Sequence, residues 1–344
     1  MRGAITEKPL QKVAVVAFGG NALITTKDAG YPEEQIKNAK KAVSPLVHLL
    51  RAGYELVIVH GNGPQVGLEL LCVENSTHTV PPVPLDFCVA KTQGTMGYLL
   101  QVAMRNRLKQ ARIDKNIITL ITEVVVREDD PAFTRPTKPV GPFFSEYQAK
   151  RLQKENKWIM IEDAKRGWRK VVASPRPIKI PSASAINTLV KAGNIVIAGG
   201  GGGIPVAFDE GEHGKGVEAV IDKDYTASLI ASYVEAELLL YISAVDYVLI
   251  NFGTPKEKKL KTIKLDTAIR YFAEGHFATG SMGPKIDACI SFIKGGGKRA
   301  IVTTATHLLA ALRGKYGTQI VAGDYQKTLF PSPNGDDANL DEPE

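Results

Sequence analysis

VAVVAFGGNALI, residues Val13–Ile24, is the stretch on which the fold turns. The apolar run up to Phe18 is too short for a core helix and fits a strand buried on both faces. It ends in Gly19 and Gly20, and Asn21 follows. Glycine adopts backbone angles other residues avoid, and it leaves the main chain open to a ligand. A buried strand that ends this way predicts that something comes close to Gly19 and Gly20.

Outward from this strand the pattern alternates. Residues 32–53 place Ile36, Ala39, Val43, Leu46 and Leu50 at helical spacing and stop on Gly53. ELVIVHG (55–61) reads as a second strand, 84–111 as a long helix and NIITLITEVVV (116–126) as a third strand. A βαβαβ order predicts an α/β fold, with a mainly parallel open sheet and helices on both faces. From Arg127 to Pro181 the rhythm breaks. REDDPAFTRPTKPVGPFF (127–144) is rich in proline and charge, which marks 127–181 as an inserted subdomain or lid. Alternation then resumes as far as RAIVTT (299–304). The tail 331–344 is acidic and nearly free of large apolar groups, the composition of a disordered segment.

Composition narrows the function classes. The chain has 344 residues, 44% hydrophobic and 23% charged, as in soluble globular proteins. No apolar run reaches the ~18 residues of a membrane span. The N-terminal stretch lacks the apolar core of a secretory signal. A cytoplasmic protein with no membrane partner is expected. The net charge is +7, but Lys and Arg are scattered rather than gathered into a nucleic-acid stripe, so no nucleic acid is expected. Cys72, Cys88 and Cys289 have neither zinc-ligand nor redox-pair spacing, and no metal-ligating set is expected.

Glycine turns recur at Gly19–Gly20, in HGNGPQVG (60–67), at Gly199–Gly203 and in TGSMGPK (279–285). Four such turns at the carboxyl ends of strands in one sheet line a single crevice, where open α/β sheets bind ligands. Helix starts there favour anions. Known phosphate motifs fail: GNGPQVG brings its third glycine one residue late for a dinucleotide fingerprint, and no GxxxxGK[ST] occurs. Protein-kinase motifs and the GxSxG elbow are also missing.

Three lysines stand where chemistry uses them: Lys138 in the insertion, Lys223 between Asp222 and Asp224, and Lys285 at a helix start. An ammonium opposes the dipole at a helix N-terminus, so Lys285 is expected to have an anion beside it. Taken singly, Lys138 also reads as a solvated loop charge and Lys223 as a salt-bridged surface residue. Phosphoryl transfer gives them one purpose, because it needs positioning and cationic stabilisation more than covalent help.

In chain order, FGGNAL (18–23), HGNGPQVG (60–67), PTKPVGPF (136–143), GWRKVVASPRPI (167–178), GGGGIPV (200–206), EAVIDKD (218–224), NFG (251–253) and EGHFATGSMGPK (274–285) resemble the motifs of carbamate kinases, within the amino acid kinase superfamily. The resemblance implies a three-layer α/β/α sandwich over 12–328, with 127–181 as a protruding lid. It implies the reaction ATP + carbamate ⇌ ADP + carbamoyl phosphate with Mg²⁺, run toward ATP in the catabolism of arginine or related nitrogen compounds. It also implies a homodimer. Gly19, Gly20 and Asn21 would face the moving phosphoryl group, and Gly61, Asn62 and Gly63 the carbamate. Gly200 and Gly201 would pass close to the substrates. Lys223 and Lys285 would neutralise phosphates, Lys138 would close from the lid, and Asp222 would organise the lysines. Ser243, Asp246, Tyr247, Asn251, Phe252, Met282 and Gly283 would lie near the nucleotide.

Two positions depart from the family pattern. SAVD (243–246) has Ala244 where the family often has aspartate, and VAKTQG (89–94) carries Lys91 in a stretch where the family has small residues; if Lys91 faces the acceptor pocket, it adds a cation there. Two other readings stand beside this one. One is the same fold with another small carboxylate or phosphonate as acceptor; the other is a non-catalytic nucleotide-binding regulator.

Overall fold

The computed structural model describes residues 11–19, 30–163, 166–208, 213–278, 280 and 282–323. Gly20, Asn21 and the 331–344 tail lie outside the described residues.

The chain opens with β1 (Lys12–Phe18), α1 (Pro32–Val43), α2 (Val47–Arg51) and β2 (Tyr54–His60). Next come α3 (Gly63–Ser76), α4 (Leu85–Ala111), β3 (Ile117–Thr119) and β4 (Glu123–Val125). The 127–181 segment contributes β5 (Lys138–Phe144), α5 (Glu146–Glu155), β6 (Met160–Glu162) and β7 (Trp168–Val172). The second half begins with α6 (Ala183–Lys191), β8 (Ile195–Ile197), β9 (Ile204–Phe208), β10 (Gly214–Gly216), α7 (Lys223–Tyr233) and β11 (Leu238–Ile242). A hairpin of β12 (Leu249–Ile250) and β13 (Lys258–Lys259) leads to β14 (Thr262–Lys264), α8 (Leu265–Ala273) and α9 (Met282–Lys294). The described chain closes with β15 (Arg299–Thr303), α10 (Leu308–Leu312) and β16 (Thr318–Val321).

Eight strands form the central sheet, in the order β14-β16-β15-β11-β1-β2-β8-β3. From β15 to β3 all neighbours are parallel, and only the β15–β16 pair is antiparallel. The all-apolar strands follow from burial on both faces. Val13, Val15 and Ala17 point into one core with α6, α7 and α9, whereas Ala14, Val16 and Phe18 point into the other with α1, α4 and α10. Each fully buried valine, leucine or isoleucine side chain contributes about 1.5–3 kcal/mol.

Residues 116–126 are not one strand. β3 ends at Thr119 as the free edge of the central sheet, and β4 pairs with β9 in a separate three-stranded sheet. Gln93 of α4 takes up the backbone between them: its Oε1 accepts from Thr122 N at 2.9 Å and its Nε2 donates to Thr122 O at 3.0 Å. The fourth glycine turn also differs from expectation. Gly280 lies between α8 and α9 and Gly283 in the first turn of α9, so neither follows a strand end.

The 127–181 segment builds its own antiparallel sheet, β5-β7-β6. It sits hard against α3: a Cβ on Gly67 would stand 1.9 Å from the Gly141 Cα. Glu74 of α3 accepts from Asn156 Nδ2 at 2.7 Å and from Trp158 Nε1 at 2.6 Å, with Lys170 Nζ at 3.5 Å.

Candidate functional site

Parallel strands deliver their carboxyl ends to one edge of the sheet, and three glycine turns meet there. Gly19 follows β1, Gly61–Gly63 follow β2 and Gly199–Gly203 follow β8. The first two are tied together by Gly61 N donating to Phe18 O at 2.8 Å. Gly201, Gly202 and Gly203 hold φ values of 67°, 90° and 93°, a region closed to most side chains. Space excludes side chains too. A Cβ would meet His60 Nε2 at 2.3 Å from Gly200, and Asn62 Nδ2 at 2.3 Å from Gly201. Gln93 Nε2 donates to Gly200 O at 2.9 Å, and Thr226 Oγ1 to Gly202 O at 2.7 Å, so the loop is held from both sides.

The charged groups converge at the starts of α7 and α9. Asp222 is the N-cap of α7, where its Oδ1 accepts from Asp224 N at 3.0 Å. Its Oδ2 accepts from Lys138 Nζ at 2.5 Å, bringing the 127–181 segment to the helix start. Asp224, only 3% exposed, takes Lys223 Nζ at 2.6 Å on Oδ1 and Lys285 Nζ at 2.7 Å on Oδ2. Its backbone carbonyl accepts from Tyr241 OH at 2.8 Å, and the Lys285 ammonium lies 4.7 Å from the centre of the Tyr241 ring. Lys138, Lys223 and Lys285 thus share two carboxylates. The anion expected beside Lys285 is Asp224.

Burial pulls the Lys285 ammonium down; Asp224 restores part of this and Lys223 opposes it, so its pKa stays below the ordinary lysine value. Burial also pulls Lys223 down, but Asp224 and Asp222 more than compensate and raise it. Burial pushes the Asp222 carboxyl up, yet Lys138 and Lys223 outweigh that and hold it well below the usual carboxylate range. His60 ends β2 beneath Gly200 and is buried. Its Nδ1–H donates to Gly61 O at 3.2 Å, and burial lowers its pKa to about 4. It is neutral at pH 7 and sits under the loop.

Asn62 and Gly63, expected on the acceptor side, meet this cluster through the 127–181 segment. The nearest atom to a Cβ built on Gly63 is Pro139 O, at 4.0 Å, beside Lys138. Asn62 sends its amide to Thr92 Oγ1 at 2.9 Å. Lys91 pairs with Glu69 at 3.8 Å, with half its side chain exposed.

The expected nucleotide residues fall into three places. Ser243 N donates to Thr303 O at the end of β11. Asp246 accepts from Thr304 Oγ1 at 2.9 Å, His307 Nδ1 at 3.1 Å and Tyr316 OH at 3.1 Å, while Tyr247 lies 4.9 Å from the Tyr316 ring. Asn251 and Phe252 lie apart, in the turn after β12, where Phe252 is 76% exposed. Met282 and Gly283 open α9, one turn or less from Lys285.

Reading the sequence understated Asp224, which holds two of the three lysines; its place next to Lys223 was the available signal. It missed Gln93 altogether, because the partners at Thr122 and Gly200 are 29 and 107 residues away. Among the described residues no three carboxylate, imidazole or thiol groups gather as a metal cage.

The sequence profile of the amino acid kinase family matches residues 12–304. The carbamate kinase of Pyrococcus horikoshii is 47% identical over 308 residues, covering 89% of this chain and 98% of that protein. Among solved structures, carbamate kinase from Giardia lamblia bound to AMP-PNP aligns with a TM-score of 0.82 at 41% identity. The same enzyme bound to citric acid aligns with a TM-score of 0.86 at 40% identity. In both cases the match covers 91% of this chain and 99% of the other.

Proposed function

We propose that this chain, which belongs to the amino acid kinase family and stands among its carbamate kinases, transfers a phosphoryl group reversibly between ATP and carbamate. The observation that carries the reading is the trio Lys138, Lys223 and Lys285, gathered on Asp222 and Asp224 beside glycine turns. A carbamate oxygen attacks the γ-phosphorus, the bond to the ADP oxygen breaks, and ADP leaves with the electron pair. Carbamate is already an anion, so no base has to take a proton. Among the described residues of the site, His60 is buried under Gly200, and Asp222 and Asp224 are engaged by lysines. The lysines stabilise charge spread over the phosphoryl oxygens, in positions set before substrate arrives.

Lys223 and Lys285 are read as phosphate-neutralising groups, and Lys138 as the cation that the 127–181 lid brings to the reaction. That segment is read as a subdomain of one kinase domain over 12–328. Gly19, Gly61, Asn62, Gly63, Gly200 and Gly201 line the transfer path, and Ser243, Asp246, Tyr247, Asn251, Phe252, Met282 and Gly283 the nucleotide side. Mg²⁺ is read as arriving with the nucleotide, where it neutralises phosphate charge. Asp222 and Asp224 are taken up by lysines, which fits an ion carried by phosphates rather than by a protein cage. The enzyme is read as cytoplasmic. Cys72, Cys88 and Cys289 are free thiols, and no described helix is long and apolar enough to cross a membrane. A homodimer is read from the free β3 edge and the exposed Tyr98 and Ile121 beside it; a monomer in light scattering would overturn it.

The deciding experiment mixes purified chain, Mg²⁺, ADP and carbamoyl phosphate and follows ATP. ATP forms, and Lys223→Ala abolishes it. No ATP from the unaltered chain, or a preference for a different carboxylate, sinks the reading.

A further inference from the structure

We propose that Gln65 recognises the amino group of the acceptor and so selects carbamate and carbamoyl phosphate over acetate and acetyl phosphate. This rests on the carbamate kinase reading and names a residue that sets its specificity.

Gln65 is 8% exposed, and neither its Nε2 nor its Oε1 has a hydrogen-bond partner. The other unpartnered buried side-chain atoms among the described residues come singly, from Ser182, Asn187, Thr303 and Arg313. Gln65 leaves a donor and an acceptor unpaired together. A buried amide without partners is costly, and folded chains avoid it unless something else satisfies the group.

Its place in the fold says what that something is. Gln65 lies in the first turn of α3, two residues after Gly63, and Gly63 neighbours Pro139 next to Lys138. This helix start has no side-chain cap, and the N-cap residue Asn62 donates its amide to Thr92 Oγ1. Pro64 has no N–H. The backbone N–H groups of Gly63 and Gln65 precede the first intrahelical bond, made by Val66 N to Asn62 O. An uncapped helix start attracts a carboxylate or phosphate. It does not distinguish carbamate from acetate, which carry the same charge.

The side-chain amide can. It presents one acceptor and two donors on a flat edge. Carbamate presents the complement, an N–H donor next to a carboxylate oxygen. Carbamoyl phosphate keeps the same N–H beside its carbonyl oxygen. Acetate and acetyl phosphate put a methyl group there, so Oε1 would stay buried and unpaired. A site built to hydrogen-bond an N–H rejects an analogue lacking it because its own polar group is stranded. A neutral amide does this without repelling the substrate's charge, which a glutamate would do.

The test compares ATP formation by the full chain from carbamoyl phosphate and from acetyl phosphate, with ADP and Mg²⁺, for wild type and Gln65→Met. Methionine keeps the length and loses the amide. The expected result is a fall of about tenfold or more in kcat/KM for carbamoyl phosphate, with acetyl phosphate changed less than about twofold. Equal falls for both substrates would mean that Gln65 serves only packing or a buried water, and an unchanged ratio would overturn the proposal as well. Should Gln65→Met not fold, the wild-type side-chain amide resonance decides. It shifts on adding carbamoyl phosphate and stays put with acetyl phosphate; an amide signal indifferent to both refutes the assignment. A wild type that makes ATP from neither phosphate sinks the kinase reading itself. A wild type active on carbamoyl phosphate, with the variant's ratio intact, sinks only the role of Gln65.

Discussion

Asp224→Asn tests the charge cluster most directly. The substitution barely changes shape and removes the negative charge shared by Lys223 and Lys285, at 2.6 and 2.7 Å. At an effective dielectric near 20, each such contact is worth roughly 6 kcal/mol of Coulomb attraction, much of it offset by the cost of burying the ions. Removing one partner of a buried pair leaves the other charge uncompensated, at a cost of about 3–5 kcal/mol. The sign with pH follows from Lys285. Burial already places its folded pKa below the unfolded value, and loss of Asp224 lowers it further. A lysine shifted this way destabilises the fold while it is charged in the unfolded chain. The penalty fades as pH rises toward the unfolded value of ~10.4. Urea unfolding followed by circular dichroism should show a loss near 3 kcal/mol at neutral pH that shrinks clearly by about pH 9.5. A loss under ~1 kcal/mol at neutral pH, or the same loss at both, would refute the placement of Asp224 as counter-ion to both lysines.

Two further outcomes follow from the same geometry. Lys138→Met should lower kcat for ATP formation about a hundredfold, the scale of a lost electrostatic stabiliser, and should lower Tm as well, because it leaves the half-buried Asp222 carboxylate without its ion-pair partner; near-normal turnover would remove Lys138 from the reaction. His60 has a folded pKa of about 4 against an ordinary 6.5, so the native state holds it neutral. Its contribution is present above the unfolded value and is lost as pH falls from 6.5 toward 4, by roughly 3 kcal/mol at most. His60→Gln should flatten that acid limb in urea unfolding; an unchanged slope would show that other groups set it.

The central strands were legible because burial on both faces writes itself as an apolar run: β1, β2 and β11 read directly. The same signal misled at 116–126. The run is mostly apolar from end to end, but the chain changes sheets after Thr119, and the bonds that turn it come from Gln93, far away in sequence. β16, only Thr318–Val321 and antiparallel to β15, carried no alternation to announce it. At the site, lysines stood out because a charge at the end of an apolar run or at a helix start needs a reason. Their partners did not stand out. VIDKD shows two acids beside Lys223, and only the fold reveals that Asp222 reaches Lys138 while Asp224 reaches Lys223 and Lys285. Gln65 was invisible for another reason: an unpaired buried amide is a property of packing, and no spacing encodes it.

The division of the lysines between two parts of the molecule bears on how the site works. Lys223 and Lys285 stand on α7 and α9, which pack together and are bonded through Ser228 Oγ to Ala288 O at 2.9 Å. Tyr241 ties the start of α7 to β11. These two ammoniums are therefore fixed to the sheet before any phosphate arrives, and little of their stabilisation is lost to rearrangement. Lys138 belongs elsewhere. Its segment is packed on α3 through Gly67 and Gly141 and bonded to it through Glu74, and α3 carries the acceptor-side turn at its start. The acceptor turn and Lys138 thus form one unit, and the other two lysines a second. Lys138 to Asp222 is a bond across the boundary between them; on the proposed reading, an incoming phosphoryl group would compete with Asp222 for that ammonium. Substrate charge is then measured against a carboxylate that the protein already supplies. Three ammoniums against two carboxylates leave the cluster one positive charge in excess. On the proposed reading, that excess favours an anionic phosphoryl group over water.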